Sequence, residues 1–174
     1  MAYLQDQWLG RGWLKISENT RGAISGNMCE IYANAFEHGR SPISVVSCGQ
    51  YYPNLRVLKF TVVDFGVGIP QNVRDFRRND QMRSGEALRW AFESGTTTRP
   101  RNRGLGLNLL KEFVTRNSGR LEIFSYDAYA SIDRRGKTYS ERASYFEGTL
   151  VNITLQCDEG SYTVDDGLGD EPLF

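Results

Sequence analysis

The residues of this chain best suited to chemistry are carboxylates placed beside glycines. Asp64 closes an extended apolar run and is followed by Phe65, Gly66, Val67, Gly68, Ile69 and Pro70. Glycine accepts positive φ or the close approach of a bound molecule, and proline fixes a bend. The stretch therefore reads as a strand that stops, turns and presents Asp64 to a ligand instead of burying it. Glu30, Asn34 and His38 step by four and line one face of a helix. Further on, Gly104, Leu105, Gly106 and Leu107 lead straight into a helical pattern. Glycines at a helix N-terminus leave N–H groups and the positive end of the dipole open to a phosphate.

Each piece alone has an ordinary reading: a strand and its turn, a solvated helix face, an exposed basic loop. Three familiar motifs are also excluded. A dinucleotide fingerprint needs a third glycine where Gln71 stands, and a helix starting at once. Asp64, Phe65 and Gly66 spell the metal-binding triplet of protein kinases, but the one histidine, His38, is followed by Gly39 and Arg40 and not by a catalytic-loop sequence. No Gly-Lys-Ser/Thr follows Gly104 and Gly106, so this is not a Walker A loop.

Composition bounds the rest. A chain of 174 residues, 40% apolar and 24% charged, suits one globular domain with a real core. No window has the apolar length of a membrane span, and Gln5, Asp6 and Gln7 stand where a signal peptide needs apolar residues. The expected location is the cytoplasm, with no membrane partner. Cys29, Cys48 and Cys157 form no Cys-x-x-Cys pair, so neither a disulfide framework nor a zinc site is indicated. The six acids at 158, 159, 165, 166, 170 and 171 meet no Lys or Arg in the tail 158–174, which reads as solvated and mobile. They leave 15 of the 21 acids against all 21 basic residues in 1–157, a net of +6 that favours an anionic ligand. Nothing in the sequence points directly to nucleic acid.

The elements that must position these groups follow from periodicity. Ala2 to Gly10 reads as a helix with Leu4, Trp8 and Leu9 on one side. Ser17 or Asn19 can cap a long helix to about His38, whose Ile24, Met28, Ile31, Tyr32 and Ala35 face a core. Strands are expected near 44–49 and 55–63, joined as a hairpin. The segment 71–103 is rich in arginine, holds one short helix near Gly85 to Phe92, and carries Thr96, Thr97 and Thr98. Its composition suits a lid over an anion. A helix is expected from Asn108 to about Asn117, with Leu109, Leu110, Phe113 and Val114 inward. Strands near 120–126, 129–132, 138–145 and 149–156 complete the sheet.

Each motif is weak, but their order is specific. Glu30 and Asn34 on a helix, then Asp64, Gly66 and Gly68 after a strand, a basic segment, and Gly104 and Gly106 at a helix start resemble the nucleotide-binding domain of the GHKL superfamily. That superfamily includes gyrase B, heat-shock chaperone ATPases, sensor histidine kinases and MutL. The resemblance spans about Ser17 to Gln156, and residues 30–39 are most similar to anti-sigma-factor serine kinases. It implies an α/β two-layer sandwich of the Bergerat type, with a mixed, mainly antiparallel sheet and helices on one face. It also divides the chain into an ATP-binding domain, 1–157, with a lid at about 71–103, and the tail 158–174.

The same resemblance assigns roles. Asp64 would accept a hydrogen bond from the exocyclic amine of adenine, which the keto oxygen of guanine cannot offer. Gly66 and Gly68 would let the backbone pass close to the base, with Ile69 also at the nucleotide site and Thr149 on the last strand beside the acid. Asn34 would give its amide oxygen to Mg²⁺, which needs few protein ligands. Glu30 would orient or deprotonate the group that attacks the γ-phosphate. His38, Thr96, Thr97, Thr98, Arg103, Gly104, Leu105, Gly106 and Leu107 would complete the nucleotide site. With a single histidine the chain is not a complete histidine kinase, and no second domain brings a lysine to the phosphate, so turnover would be slow. Two outcomes stay open: an ATPase or Ser/Thr protein kinase, and a non-catalytic switch that binds a protein partner or neighbouring domain when ATP is bound.

Overall fold

The computed structural model describes residues 2–38, 43–93, 106–116 and 118–157. An N-terminal π-helical turn, Tyr3–Trp8, is followed by the long helix α1, Glu18–His38. Next come β1, Val46–Tyr52, and β2, Val57–Asp64. Three helices follow: α2, Gly68–Arg77; α3, Ser84–Ala91; and α4, Gly106–Arg116. Two long strands end the described chain, β3, Arg120–Asp133, and β4, Gly136–Gln156. The four strands pair in the order β1-β2-β4-β3, every pair antiparallel. The parallel pairing implied by a mixed sheet is therefore absent among the described strands.

Strand alternation divides the sheet into two faces. Leu58, Phe60 and Val62 of β2, Val151, Ile153 and Leu155 of β4, and Leu121 and Ile123 of β3 are at most 5% exposed. Their neighbours Lys59, Thr61, Asn152, Thr154 and Glu122 stay open or half-open. The buried face meets α1 through Ile24, Met28 and Ile31, and α4 through Leu110, Phe113 and Val114. Trp8 closes one corner, its indole N–H donating to the Lys59 carbonyl at 3.1 Å and its ring lying 4.7 Å from that of Phe60. The result is an α/β fold, one antiparallel sheet with helices packed on it.

Ser17 is the cap of α1: its hydroxyl accepts the Thr20 N–H at 3.1 Å. Three expectations need correction. The four short strands expected after residue 120 are two continuous ones, because a register shift at Tyr126, whose φ is +56°, bends the ladder without ending it. The turn expected at 66–70 is the start of α2. Pro70 sits in the first helical turn, where no intrahelical N–H is required, so it opens the helix and does not break it. Residues 71–93 are not a loose connection, since α2 and α3 pack on each other around Val73, Met82 and Ala87. The residues 94–105 and the tail 158–174 lie outside the described residues.

Candidate functional site

Register places the polar residues. Asp64 on β2 pairs with Thr149 on β4, and Thr149 pairs with Ser125 on β3. The three form one row across three strands on the helix-covered face. Behind them lie the apolar rows Val62, Val151, Ile123 and Phe60, Ile153, Leu121. Asp64 is 5% exposed, Thr149 8% and Ser125 0%. The expectation that the turn presents Asp64 is thus corrected. It is buried because it stands on the core-facing side of an interior strand, in register with β4, before the chain turns.

Burial pushes the Asp64 carboxyl above its ordinary 3.8, since desolvation disfavours the charged form. Hydrogen bonds from the backbone amides of Gly66 and Thr149, and from the Thr149 hydroxyl, oppose that rise. The Gly66 N–H reaches Oδ1 at 3.0 Å. Gly68 has φ +69°, and a Cβ there would meet Ser125 Oγ at 2.7 Å and the Gly148 carbonyl at 3.0 Å. Gly68 is therefore demanded by the protein's own packing. So is Gly148, at φ +112°, where a Cβ would fall 2.1 Å from the Asp64 carbonyl oxygen. Ile69 donates its N–H to Ser125 Oγ at 2.9 Å, tying the first turn of α2 to the row.

Helix α1 reaches the same end of the sheet. The Tyr32 hydroxyl bonds Ser47, whose register partner Val62 lies two residues before Asp64. Glu30 and Asn34 flank Tyr32 in sequence and are half-buried. His38 is the last residue of α1. Helix α4 runs into β3 through the turn at Ser118 and Gly119 and packs on α1 and β3. Its C-terminal end adjoins Arg120, whose register partner is Thr154. Gly106 and Leu107 are the first two residues of α4. Thr96, Thr97, Thr98, Arg103, Gly104 and Leu105 lie outside the described residues.

Several arginines of the basic segment hold protein groups. Arg74 donates to the Met82 carbonyl at 2.8 Å and to Ser84 Oγ at 2.9 Å. Arg83 pairs with Glu141, and Arg89 lies 5.6 Å over the Tyr139 ring. Arg83, Glu86, Arg89, Tyr139 and Glu141 line a cleft of about 330 Å³ between α3 and β4. Among the described residues there is no group of three or more His, Cys, Asp or Glu that could cage a metal. Ser125 and Gly148 were invisible to sequence reasoning. The one available signal was a serine where the alternation of Leu121 and Ile123 calls for a third apolar residue.

No family model matches the chain, and no curated protein does. Among solved structures, the histidine kinase domain from the Erythrobacter litoralis EL346 blue-light activated histidine kinase is similar at a TM-score of 0.46 and 20% sequence identity. The match covers 90% of this chain and 57% of that one. The chain thus spans little more than half the length of that chain, and the likeness says nothing of activity. No helix among the described residues is long and apolar enough to cross a membrane.

Proposed function

We propose that this chain binds ATP with Mg²⁺ as a histidine-kinase-like ATPase domain of the GHKL type, acting in the cytoplasm. The observation that carries the reading is the polar row Asp64, Thr149 and Ser125, set at the end of an otherwise apolar sheet face. A buried carboxylate already receiving protein donors is suited to one more donor, and an adenine exocyclic amine is such a group. The motif residues before and after it in sequence support the same ligand: Glu30 and Asn34 on α1, and the Gly104-x-Gly106 pattern whose second glycine begins α4.

The donor set fits magnesium only in one form. With no acidic cage among the described residues, the ion would be held by the Asn34 amide oxygen together with phosphate oxygens and water. It would supply charge neutralisation at the transferred phosphoryl group. Glu30, one helical turn before Asn34, would orient or deprotonate the attacking water or a protein hydroxyl. Slow hydrolysis, or transfer to a serine or threonine of a protein partner, is the chemistry we assign.

The experiment is a Mg-ATP titration by calorimetry alongside single-turnover hydrolysis, on wild type and Glu30→Ala. Catalysis by Glu30 predicts retained binding and a rate reduced about 10²-fold or more. Equal rates in the two proteins would remove Glu30 from the chemistry and favour a switch that binds ATP without turnover. No heat with Mg-ATP would contradict the reading altogether.

A further inference from the structure

Ser125 belongs to the polar row, yet none of the sequence motifs includes it. Its hydroxyl donates to the Gly148 carbonyl at 2.7 Å, accepts the Ile69 N–H at 2.9 Å, and lies 3.2 Å from Thr149 Oγ1. A hydroxyl has one proton and two lone pairs. The proton serves Gly148 and one lone pair serves Ile69, which leaves a single lone pair facing Thr149. Thr149 also has one proton and faces two acceptors, Ser125 at 3.2 Å and the Asp64 carboxyl on the residue directly opposite on β2. A carboxylate is the stronger acceptor, so the proton is directed to Asp64.

The surrounding backbone is built around this hydroxyl. Gly68 leaves room for it, and Gly148, whose carbonyl it holds, passes against the backbone of Asp64. Ser125 thus fastens three segments to one another: β3, the Gly148–Thr149 peptide of β4, and the first turn of α2. With all its other capacity committed, it cannot give Thr149 a proton without releasing Gly148.

We propose that Ser125 is a positioning residue: it pins the Gly148–Thr149 peptide and the α2 N-terminus so that the Thr149 hydroxyl is held on Asp64, orienting that carboxylate for an amine-bearing base. The ligand half of this inference rests on the adenine reading above; the geometric half does not.

The test pairs two readouts on wild type, Ser125→Ala, Thr149→Val and the double variant. One is the titration of the Asp64 carboxyl by carbon-detected NMR without nucleotide; the other is Mg-ATP affinity. If Ser125 acts through Thr149, each single variant raises the Asp64 midpoint and weakens ATP about tenfold, the scale of one hydrogen bond to a charged group. The double variant then resembles Thr149→Val alone. A merely structural serine would lower the melting temperature while leaving the Asp64 midpoint in place, or its effect would multiply with that of Thr149→Val; either result overturns the proposal. Should Ser125→Ala fail to fold, Ser125→Cys replaces it. Its weaker donor is expected to raise the midpoint, and an unmoved midpoint there also overturns the proposal. Coupled midpoints in a protein that binds no adenine nucleotide would uphold the positioning role and overturn only the nucleotide reading.

Discussion

Asp64 and Thr149 stand directly opposite each other on β2 and β4, and Thr149 opposes the rise that burial imposes on the Asp64 pKa. The two residues are 85 positions apart in sequence and are joined only by the register of an antiparallel ladder. Two glycines with positive φ, Gly68 and Gly148, pack closely against Ser125 and the Asp64 backbone beside this pair.

Gly148→Ala is expected to be the more damaging of two small substitutions. Its Cβ would sit 2.1 Å from the Asp64 carbonyl oxygen at a φ of +112°. Gly68→Ala faces a milder clash at a φ of +69°, a region that non-glycine residues can enter at modest cost. Urea unfolding should show a loss of about 1–3 kcal/mol for Gly68→Ala and a larger one for Gly148→Ala. The reverse order would contradict the close approach of β4 to Asp64.

The raised Asp64 pKa sets a direction for the pH dependence of stability. The folded protein keeps the Asp64 proton to higher pH than the unfolded chain, so between the ordinary value of 3.8 and the raised one the native state binds more protons. Stability from this group is full below the ordinary value and is lost as pH rises through the raised one. Asp64→Asn removes the term. Denaturant melts from about pH 4 to about pH 8 should show wild type losing ground to Asp64→Asn and then running parallel. Curves parallel from the start would mean that burial does not shift this carboxyl.

Ser17→Ala tests the entry to α1. Loss of the cap on the Thr20 N–H should cost about 1 kcal/mol in urea unfolding. Ser17 precedes the first turn of α1, several turns before Glu30 and Asn34, so nucleotide affinity should be unchanged. A changed affinity would show that the cap and these two residues are coupled.

What could be read from the sequence was what local patterns encode. The stripe Ile24, Met28, Ile31, Tyr32 and Ala35 marked α1; all but Tyr32, which is half-buried, are buried. Strand β2 and its terminal acid were equally plain. The start of α2 was missed because Gly66, Gly68 and Pro70 carry turn chemistry, yet proline is tolerated in a first helical turn and Gly68 supplies the positive φ before it. Strands β3 and β4 were broken in two because a bulge interrupts alternation in the same way that a turn does. Ser125 and Gly148 act through partners brought together by pairing, and a lone serine or glycine in a strand announces no such role.

Equilibrium titrations of ATP and GTP with Mg²⁺ on wild type and Asp64→Asn test most directly whether Asp64 reads an adenine base. A carboxylate only accepts, so wild type should bind ATP and discriminate strongly against GTP. The asparagine variant, which can offer an N–H to the keto oxygen of guanine, should lose ATP affinity by about tenfold or more and lose most of the discrimination. Tight GTP binding by wild type, or an Asp64→Asn variant that binds ATP as wild type does, would contradict the account.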